Sequence, residues 1–463
     1  MSSSLPSSKL SPIADEIKGA AIVILGGGES GIGTALLAKQ QGFEVFVSDG
    51  GIIKGNYKAD LLNNGIVFEE GFHTEEKILN ATLVMKSPGI PEKNELVKKI
   101  RAAGIEIISE IEFAYRYKAD SKIIAITGSN GKTTTTALCY HLCKEAGEDC
   151  AMVGNIGFSF ARQVAEDPKK IYVVEVSSFQ LDDIKTFKPD VAVITNITAD
   201  HLDRYDYNVD NYIKSKFRII ENQTEEDVFI YNLDDETTIN NLKNYTIRSI
   251  KAPITMSKEL PEGAYLTNAE MHLKWKGEEM QMNVSDFAIK GKHNQYNSMA
   301  ASMAGKSIGI RKEKIRAALQ TFESLEHRME PVATIRGVEF INDSKATNVN
   351  STWYALETMI KPVILILGGV DKGNDYTAMK ELVKEKVKAI VCMGSENRKI
   401  HEAFGDIVSL MVNTDNAKDA VQSAFHFAQK GDVVLLSPAC ASFDLFKSYE
   451  DRGVQFKEAV KDL

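Results

Sequence analysis

The sequence predicts an α/β protein of three successive domains, each built on a largely parallel sheet. Three observations lead there. Short, near-continuously apolar runs recur at 21–25, 123–126, 171–174, 191–195, 363–367 and 433–436. Strands apolar on both faces belong to sheets covered on both sides. Many of these runs end in a glycine-rich or polar loop that opens a helical pattern, the order expected of doubly wound sheets. The length, 463 residues, suits about three domains of roughly 150 residues.

In chain order, strand 21–25 leads into Gly26-Gly27-Gly28-Glu29-Ser30-Gly31 and a helix to Gln41. Strand 45–47 follows and ends at Asp49, and strand 82–85 runs into Ser87-Pro88-Gly89. The chain turns polar over 115–120, which sets a boundary and gives a Rossmann-like N-terminal domain, 1–118. A second strand–turn–helix unit begins at Ile123. Its helix over 134–145 stops at Gly147, a residue suited to a left-handed C-cap. Strands 171–174 and 191–195 extend a central parallel sheet. Residues 232–290 alternate irregularly, with pieces such as 280–284, and predict a small antiparallel subsheet before a helix over 294–307. The central domain is 119–325. Strands 338–341, 363–367, 389–392 and 433–436 with intervening helices give a Rossmann-like C-terminal domain, 326–463.

Composition narrows the function. Hydrophobic residues make up 43 %, enough for buried cores. A net charge of −9 argues against a protein whose main task is to neutralise a nucleic-acid backbone. No apolar run approaches the ~20 residues of a membrane span. Residues 1–15 are Ser-rich without an apolar core, so they predict a loose leader and no secretory signal. The five cysteines contain no C-x-x-C pair, which fits buried thiols in a reducing cytoplasm; Cys139 and Cys143 share a helix face.

The densest chemistry is at 127–134, T-G-S-N-G-K-T-T, between a strand and a helix. A tight glycine turn there aims backbone N–H groups at an anion on the helix N-terminus. Lys132 adds charge for phosphates, and the Thr133 hydroxyl suits Mg²⁺. The match is to a shortened form of G-x-x-x-x-G-K-[ST], since Ile126 stands where the first glycine would be. The central domain is therefore expected to be P-loop ATPase-like. Gly26-x-Gly28-x-x-Gly31 with Asp49 fits a dinucleotide, and it fits a nucleotide-diphosphate sugar equally, because its physics is only pyrophosphate on a helix N-terminus. Glu175 and Asp200-His201-Leu202-Asp203 follow two further strands of the same sheet and suit a metal ion. Asn294 and Asn297 share one helix face. In the third domain, polar loops follow three strands: 342–348, 368–373 and 437–444. Ser442, read as lying near a helix N-terminus, could hold a carboxylate.

Taken together, T-G-S-N-G-K-T-T, E-V-S-S-F-Q (175–180), D-H-L-D-R-Y (200–205), G-x-H-N-x-x-N (291–297), H-R-M-E (327–330) and N-D-S-K-A-T-N (342–348) resemble the Mur ligase superfamily, in that family's order. S-P-A-C-A-S-F-D (437–444), with Phe446, Glu450, Arg452, Gly453 and Phe456, resembles its D-glutamate-adding branch, and the D-N-P-R signature of the diamino-acid-adding relatives is absent. The resemblance implies an ATP- and Mg²⁺-dependent amide ligase of peptidoglycan-precursor synthesis. Its substrates would be UDP-N-acetylmuramoyl-L-alanine and D-glutamate, joined through an acyl phosphate by a single chain in the cytoplasm.

Carried over position by position, Gly128, Ser129, Asn130, Gly131, Lys132, Thr133 and Thr134 would hold ATP, with Asn297, Arg328 and Asp343. Thr133, Glu175, His201 and Lys216 would hold Mg²⁺, Lys216 as a carbamate; Lys214 stands close by, and the spacing from Tyr212 favours Lys216. Lys132, His201 and Lys216 would serve catalysis. Glu29, Ser30, Asp49, Ser87 and Gly89 would bind the UDP-sugar substrate, Asn155 would reach the substrate or the metal, and Lys345, Thr347, Lys372, Ser442, Phe443 and Tyr449 would bind the amino acid. A nicotinamide-dependent oxidoreductase, a regulatory ATPase module and a folylpolyglutamate-type ligase are the competing readings. The first leaves the lysine loop and Glu175 unused.

Overall fold

The computed structural model describes residues 19–463 apart from 201, 324, 325 and 372. It forms two compact units. One takes in the described residues up to Asp286 together with Tyr296–Leu319; the other is Phe287–Gln295 with Gln320–Leu463.

The first unit contains two sheets. Strands β1 (Ala21–Leu25), β2 (Glu44–Asp49), β3 (Val67–Glu70), β4 (Leu83–Lys86) and β5 (Glu106–Ile108) form a parallel sheet in the order β3-β2-β1-β4-β5. The second sheet has nine strands: β6 (Lys122–Thr127), β7 (Cys150–Gly154), β8 (Ile171–Glu175), β9 (Val191–Ile194), β10 (Val228–Asn232), β11 (Ile250–Thr255), β12 (Gly263–Thr267), β13 (Glu270–Trp275) and β14 (Glu278–Asn283). Their order is β14-β13-β12-β11-β10-β9-β6-β8-β7. The antiparallel pieces expected within 232–290 exist as β12–β14. They are not a separate subsheet, because β12 pairs in parallel with β11 and prolongs the main sheet.

One apolar core runs from the first sheet into the second, through Ile32, Leu37, Phe113, Phe160 and Tyr172. Helices Glu29–Gln40 and Phe160–Glu166 meet closely enough that a Cβ on Gly33 would fall 1.8 Å from Ser159 Oγ. Helix Glu110–Tyr117 sends two buried carboxylates into the central region. Glu110 accepts from Ala161 N at 2.6 Å. Glu112 accepts from the backbone N–H groups of Lys185, Thr186 and Phe187 at 2.8–2.9 Å. A buried ion pair, Lys86 with Asp183 at 3.0 Å, adds a charged tie between β4 and the loop after Leu181.

The second unit holds a six-stranded sheet of β15 (Glu330–Ile335), β16 (Val338–Asn342), β17 (Val363–Leu367), β18 (Val387–Met393), β19 (Met411–Thr414) and β20 (Val433–Leu436). The order is β15-β16-β20-β17-β18-β19, parallel except for β15. Strands β17 and β20 are buried along their whole length, as their unbroken apolar sequences require. Helices on both faces complete two cores, one around Leu365 and Leu435, the other around Ile366 and Val434.

Candidate functional site

The site is built at the C-terminal ends of β6, β7, β8 and β9, where open parallel sheets bind ligands. Register fixes the convergence: Ile126 pairs with Glu175, Thr127 with Ile194, and Gly154 with Glu175. Residues 128–131 turn the chain from β6 into helix Lys132–Ala146. Two glycines make the turn possible. Gly128 lies at φ 144°, with Thr195 Oγ1 only 1.9 Å from where a Cβ would be; Gly131 caps the helix at φ 83°, with Asn297 Oδ1 2.5 Å from that point. The turn is stitched to the end of β9. Asn196 O accepts from Ser129 N at 2.8 Å, and Asn196 Oδ1 from Asn130 N at 3.0 Å. Thr195 Oγ1 donates to Asn130 O at 2.6 Å. Ser129 Oγ donates to Thr198 O at 2.8 Å. Asn297 accepts from Thr135 Oγ1 at 3.2 Å. Lys132 Nζ lies over the turn, donating to Gly128 O and Ser129 O. Thr133 is buried in the first turn of the helix and Thr134 follows it.

Glu175 ends β8, buried. Its Oε1 accepts from Asn155 Nδ2 at 2.8 Å, while Oε2 is buried without a hydrogen-bond partner among the described residues. Such an oxygen costs free energy unless something pairs with it, and a carboxylate oxygen suits a hard cation. Helix Val209–Phe217 settles which lysine points inward: Lys214 is exposed, whereas Lys216 is 1 % exposed. Lys216 Nζ donates to Gly128 O at 2.7 Å and stands 4.5 Å over the Tyr212 ring. Burial, reinforced by Lys132, pushes its pKa well below the usual lysine value; Asp200, Asp182 and Glu175 act the other way. His201 lies outside the described residues.

At the first sheet, Asp49 is occupied by the glycine turn itself, accepting from Gly27 N at 2.6 Å and Gly51 N at 2.7 Å. Glu29, in the first turn of its helix, accepts from Ser159 N and from Arg162 Nε. Ser30 sits beside it, its carbonyl accepting from Thr34 Oγ1. Ser87 Oγ is buried without a partner among the described residues, and Gly89 is exposed. Arg204 donates to Pro88 O at 3.0 Å and Gly89 O at 3.2 Å, and lies 4.3 Å over the Phe179 ring. The Ser87–Gly89 turn is thereby tied to both E-V-S-S-F-Q and D-H-L-D-R-Y.

In the second unit the strand ends of β16, β17 and β20 carry the remaining residues. Asp343 is buried, accepting from Ser437 Oγ at 2.8 Å and Met329 N at 3.2 Å. Burial raises its pKa to about 7, against those two bonds and the nearby Arg328 and Arg452. Lys345 Nζ stands 3.7 Å over the Tyr449 ring. Thr347 is half-buried, Ser442 is buried and Phe443 is exposed. Lys372 lies outside the described residues. The helix expected near Ser442 is not there: helix Tyr449–Lys461 begins later, capped by Ser448. Ala439 at φ 57°, the bridge between Val370 and Ala441, and Asp444 accepting from Ser395 N hold residues 437–448 as a non-helical loop. A carboxylate at Ser442 would thus meet a turn and not a helix end.

Sequence reasoning missed Thr195, Asn196 and Arg204 as builders of the site. The signal for the first two was their place at the end of a strand next to the phosphate turn. Arg204 stood within a motif already singled out.

Three consecutive family models match the chain: "Mur ligase MurD-like, N-terminal domain" over residues 20–109, "Mur ligase middle domain" over 126–305 and "Mur ligase, glutamate ligase domain" over 327–440. A protein of Christiangramia forsetii named UDP-N-acetylmuramoylalanine--D-glutamate ligase is 54 % identical over 445 residues, covering 96 % of this chain and 100 % of that protein. A Bacteroides fragilis protein of the same name is 53 % identical, covering 96 % and 99 %. Among solved structures, UDP-N-acetylmuramate-alanine ligase MurC of Thermotoga maritima superposes with TM-score 0.61 at 18 % identity, over 96 % of this chain and 99 % of that one. A pseudomurein peptide ligase type C from Methanothermus fervidus gives 0.59 at 20 %, over 96 % and 100 %. These structural likenesses speak to the fold. With more than half of its residues shared with full-length relatives, and three domain models matched in order, the chain belongs to the Mur ligase family.

Proposed function

We propose that this chain joins D-glutamate to UDP-N-acetylmuramoyl-L-alanine, using ATP, in peptidoglycan-precursor synthesis. A carboxylate oxygen does not leave by itself. The γ-phosphoryl group of ATP therefore passes to the alanyl carboxylate, giving an acyl phosphate and ADP. The amine of D-glutamate attacks the acyl carbon, and phosphate departs as the amide forms. Residues 1–118 take the UDP-sugar, 119–325 the ATP and 326–463 the amino acid. The reaction is placed in the cytoplasm, with one chain as the working unit.

Catalysis here is chiefly positioning and charge neutralisation. With Ser129 N and Asn130 N engaged by Asn196, it is the N-terminus of helix Lys132–Ala146 that presents backbone N–H groups to the ATP phosphates, and Lys132 adds a positive charge beside them. Gly128 and Gly131 keep that backbone open to the phosphates, and Thr195 and Asn196 hold it rigid. Arg204 holds the turn at residues 87–89 against the central loops, which keeps the UDP-sugar substrate, the phosphoryl acceptor, in place.

The observation that carries this reading is Glu175 Oε2, buried and without a hydrogen-bond partner among the described residues, on the same sheet edge as the phosphate turn. It fits Mg²⁺. Thr133, Glu175, His201 and Lys216 would hold the metal, which when bound neutralises phosphate charge. A lysine ammonium would be out of place in that set. The amine of Lys216, kept neutral by burial, can add to the carbon of CO₂, losing one proton as the N–C bond forms; the carbamate is an anionic oxygen ligand.

The test is a trapping experiment. Enzyme, Mg·ATP, UDP-N-acetylmuramoyl-L-alanine and hydroxylamine, without amino acid, should yield a hydroxamate and ADP in equal amounts. ADP release with no hydroxamate formed would contradict the acyl phosphate.

A further inference from the structure

Arg452 is the largest fully buried side chain among the described residues, 1 % exposed, and the chemistry above does not use it. It lies in the first turns of helix Tyr449–Lys461. Its guanidinium donates to Ser344 Oγ at 3.0 Å, Ser344 O at 2.9 Å, Cys440 O at 3.2 Å from two nitrogens, and Gly368 O at 3.4 Å. Ser344 Oγ in turn donates to Tyr449 O at 2.8 Å. Each acceptor lies on a different loop: Ser344 after β16, Gly368 after β17, Cys440 after β20. These strands are neighbours in the order β16-β20-β17. Among the described residues no carboxylate forms an ion pair with Arg452. A buried charge held only by carbonyls and a hydroxyl is costly, so the fold retains it against its own stability. A neutral side chain would fill the space without that cost.

We propose that Arg452 is the positioning residue that sets the mutual register of these three loops, and so places the groups on them that take a dicarboxylate amino acid. The inference rests on the function proposed above. The three loops carry Lys345, Thr347 and Ser442. Five N–H donors in one rigid plane reach three backbones at once. A lysine in the same place keeps the charge but has three donors on one flexible point, so it cannot hold all three.

The test uses the full chain and the variants Arg452→Lys and Ser344→Ala. Steady-state KM for D-glutamate, ATP and the UDP-substrate is measured, together with hydroxamate formation in the absence of amino acid. R452K is expected to raise the KM for D-glutamate at least tenfold, with KM for ATP and the hydroxamate rate within about threefold of the parent. S344A, which removes one acceptor and the link to Tyr449, should give the same pattern at about threefold. A D-glutamate KM within twofold of the parent in folded R452K overturns the proposal. So does an equal fall in the hydroxamate rate, or a failure of both variants to fold, since either makes Arg452 a purely structural residue. Absence of hydroxamate from the parent enzyme would instead count against the proposed function itself.

Discussion

Replacing Asp343 by asparagine should stabilise the second unit and impair the enzyme together. The carboxyl is buried and accepts, among the described residues, from Ser437 Oγ and Met329 N. Burial moves its pKa from 3.8 to about 7. Between those values the folded chain keeps a proton that the unfolded chain has released, so stability falls as pH rises. At about 1.4 kcal/mol per pH unit, that interval amounts to about 4 kcal/mol, fully felt above pH 7 and absent below pH 3.8. Asparagine has nearly the same shape and cannot ionise, and the Ser437 hydroxyl can turn to accept from the amide. Urea unfolding followed by Trp353 fluorescence, in a Trp275→Phe background, reports on the second unit. The stability gap between D343N and its parent should grow from under about 1 kcal/mol near pH 4 to about 4 kcal/mol near pH 8. Under the proposed function Asp343 is one of the residues that bind ATP, so ligase turnover should fall about a hundredfold or more. A gap that stays flat with pH, or a D343N protein less stable than its parent at pH 8, would refute the reasoning.

Other outcomes follow from the same geometry. Lys132→Ala should lower kcat by about a thousandfold, since it removes a charge aimed at the transferring phosphoryl group, with the melting temperature little changed; steady-state kinetics and thermal melts check this. Lys216→Ala should lose activity and regain part of it with formate or acetate, which can supply the missing carboxylate, whereas Lys214→Ala should behave like the parent. Glu112→Ala should destabilise the first unit by about 4 kcal/mol in chemical denaturation, because three buried backbone N–H groups lose their acceptor. Glu110, which burial raises to about 7, contributes stability that falls as pH rises from 4.5 through 7, so Glu110→Gln should be the more stable protein near pH 8 and nearly equal near pH 4.5.

Local signals were legible in the sequence, and partners distant along the chain were not. Val363–Leu367 and Val433–Leu436 match the expected strands residue for residue, because both are unbroken apolar runs bounded by loops. The central helix ends at Gly147 in the left-handed conformation, as its sequence requires. The strands that escaped notice include Val67–Glu70, Glu106–Ile108, Cys150–Gly154, Glu330–Ile335 and Met411–Thr414, all at sheet edges. Edge strands such as Val67–Glu70 and Glu106–Ile108 are half-solvated and carry polar residues, so the apolar-run signal fails there, whereas the buried Cys150–Gly154 and the interior Val228–Asn232 were missed although their residues are mostly apolar. The same holds within the site. Glycine spacing and Lys132 located the phosphate turn. Sequence could not show that Asn196 braces it from the next strand, that Arg204 reaches the carbonyls of residues 88 and 89, or that Ser442 sits in a turn set by Ala439 and Asp444.

Amino-acid specificity tests the central claim most directly. Phosphate release is followed with Mg·ATP and UDP-N-acetylmuramoyl-L-alanine while the amino acid is varied among D-glutamate, L-glutamate, meso-diaminopimelate and L-lysine. The account predicts sustained release, with formation of the amide product, for D-glutamate alone. Equal turnover with L-glutamate or a diamino acid, or sustained release with no amino acid present, would contradict it.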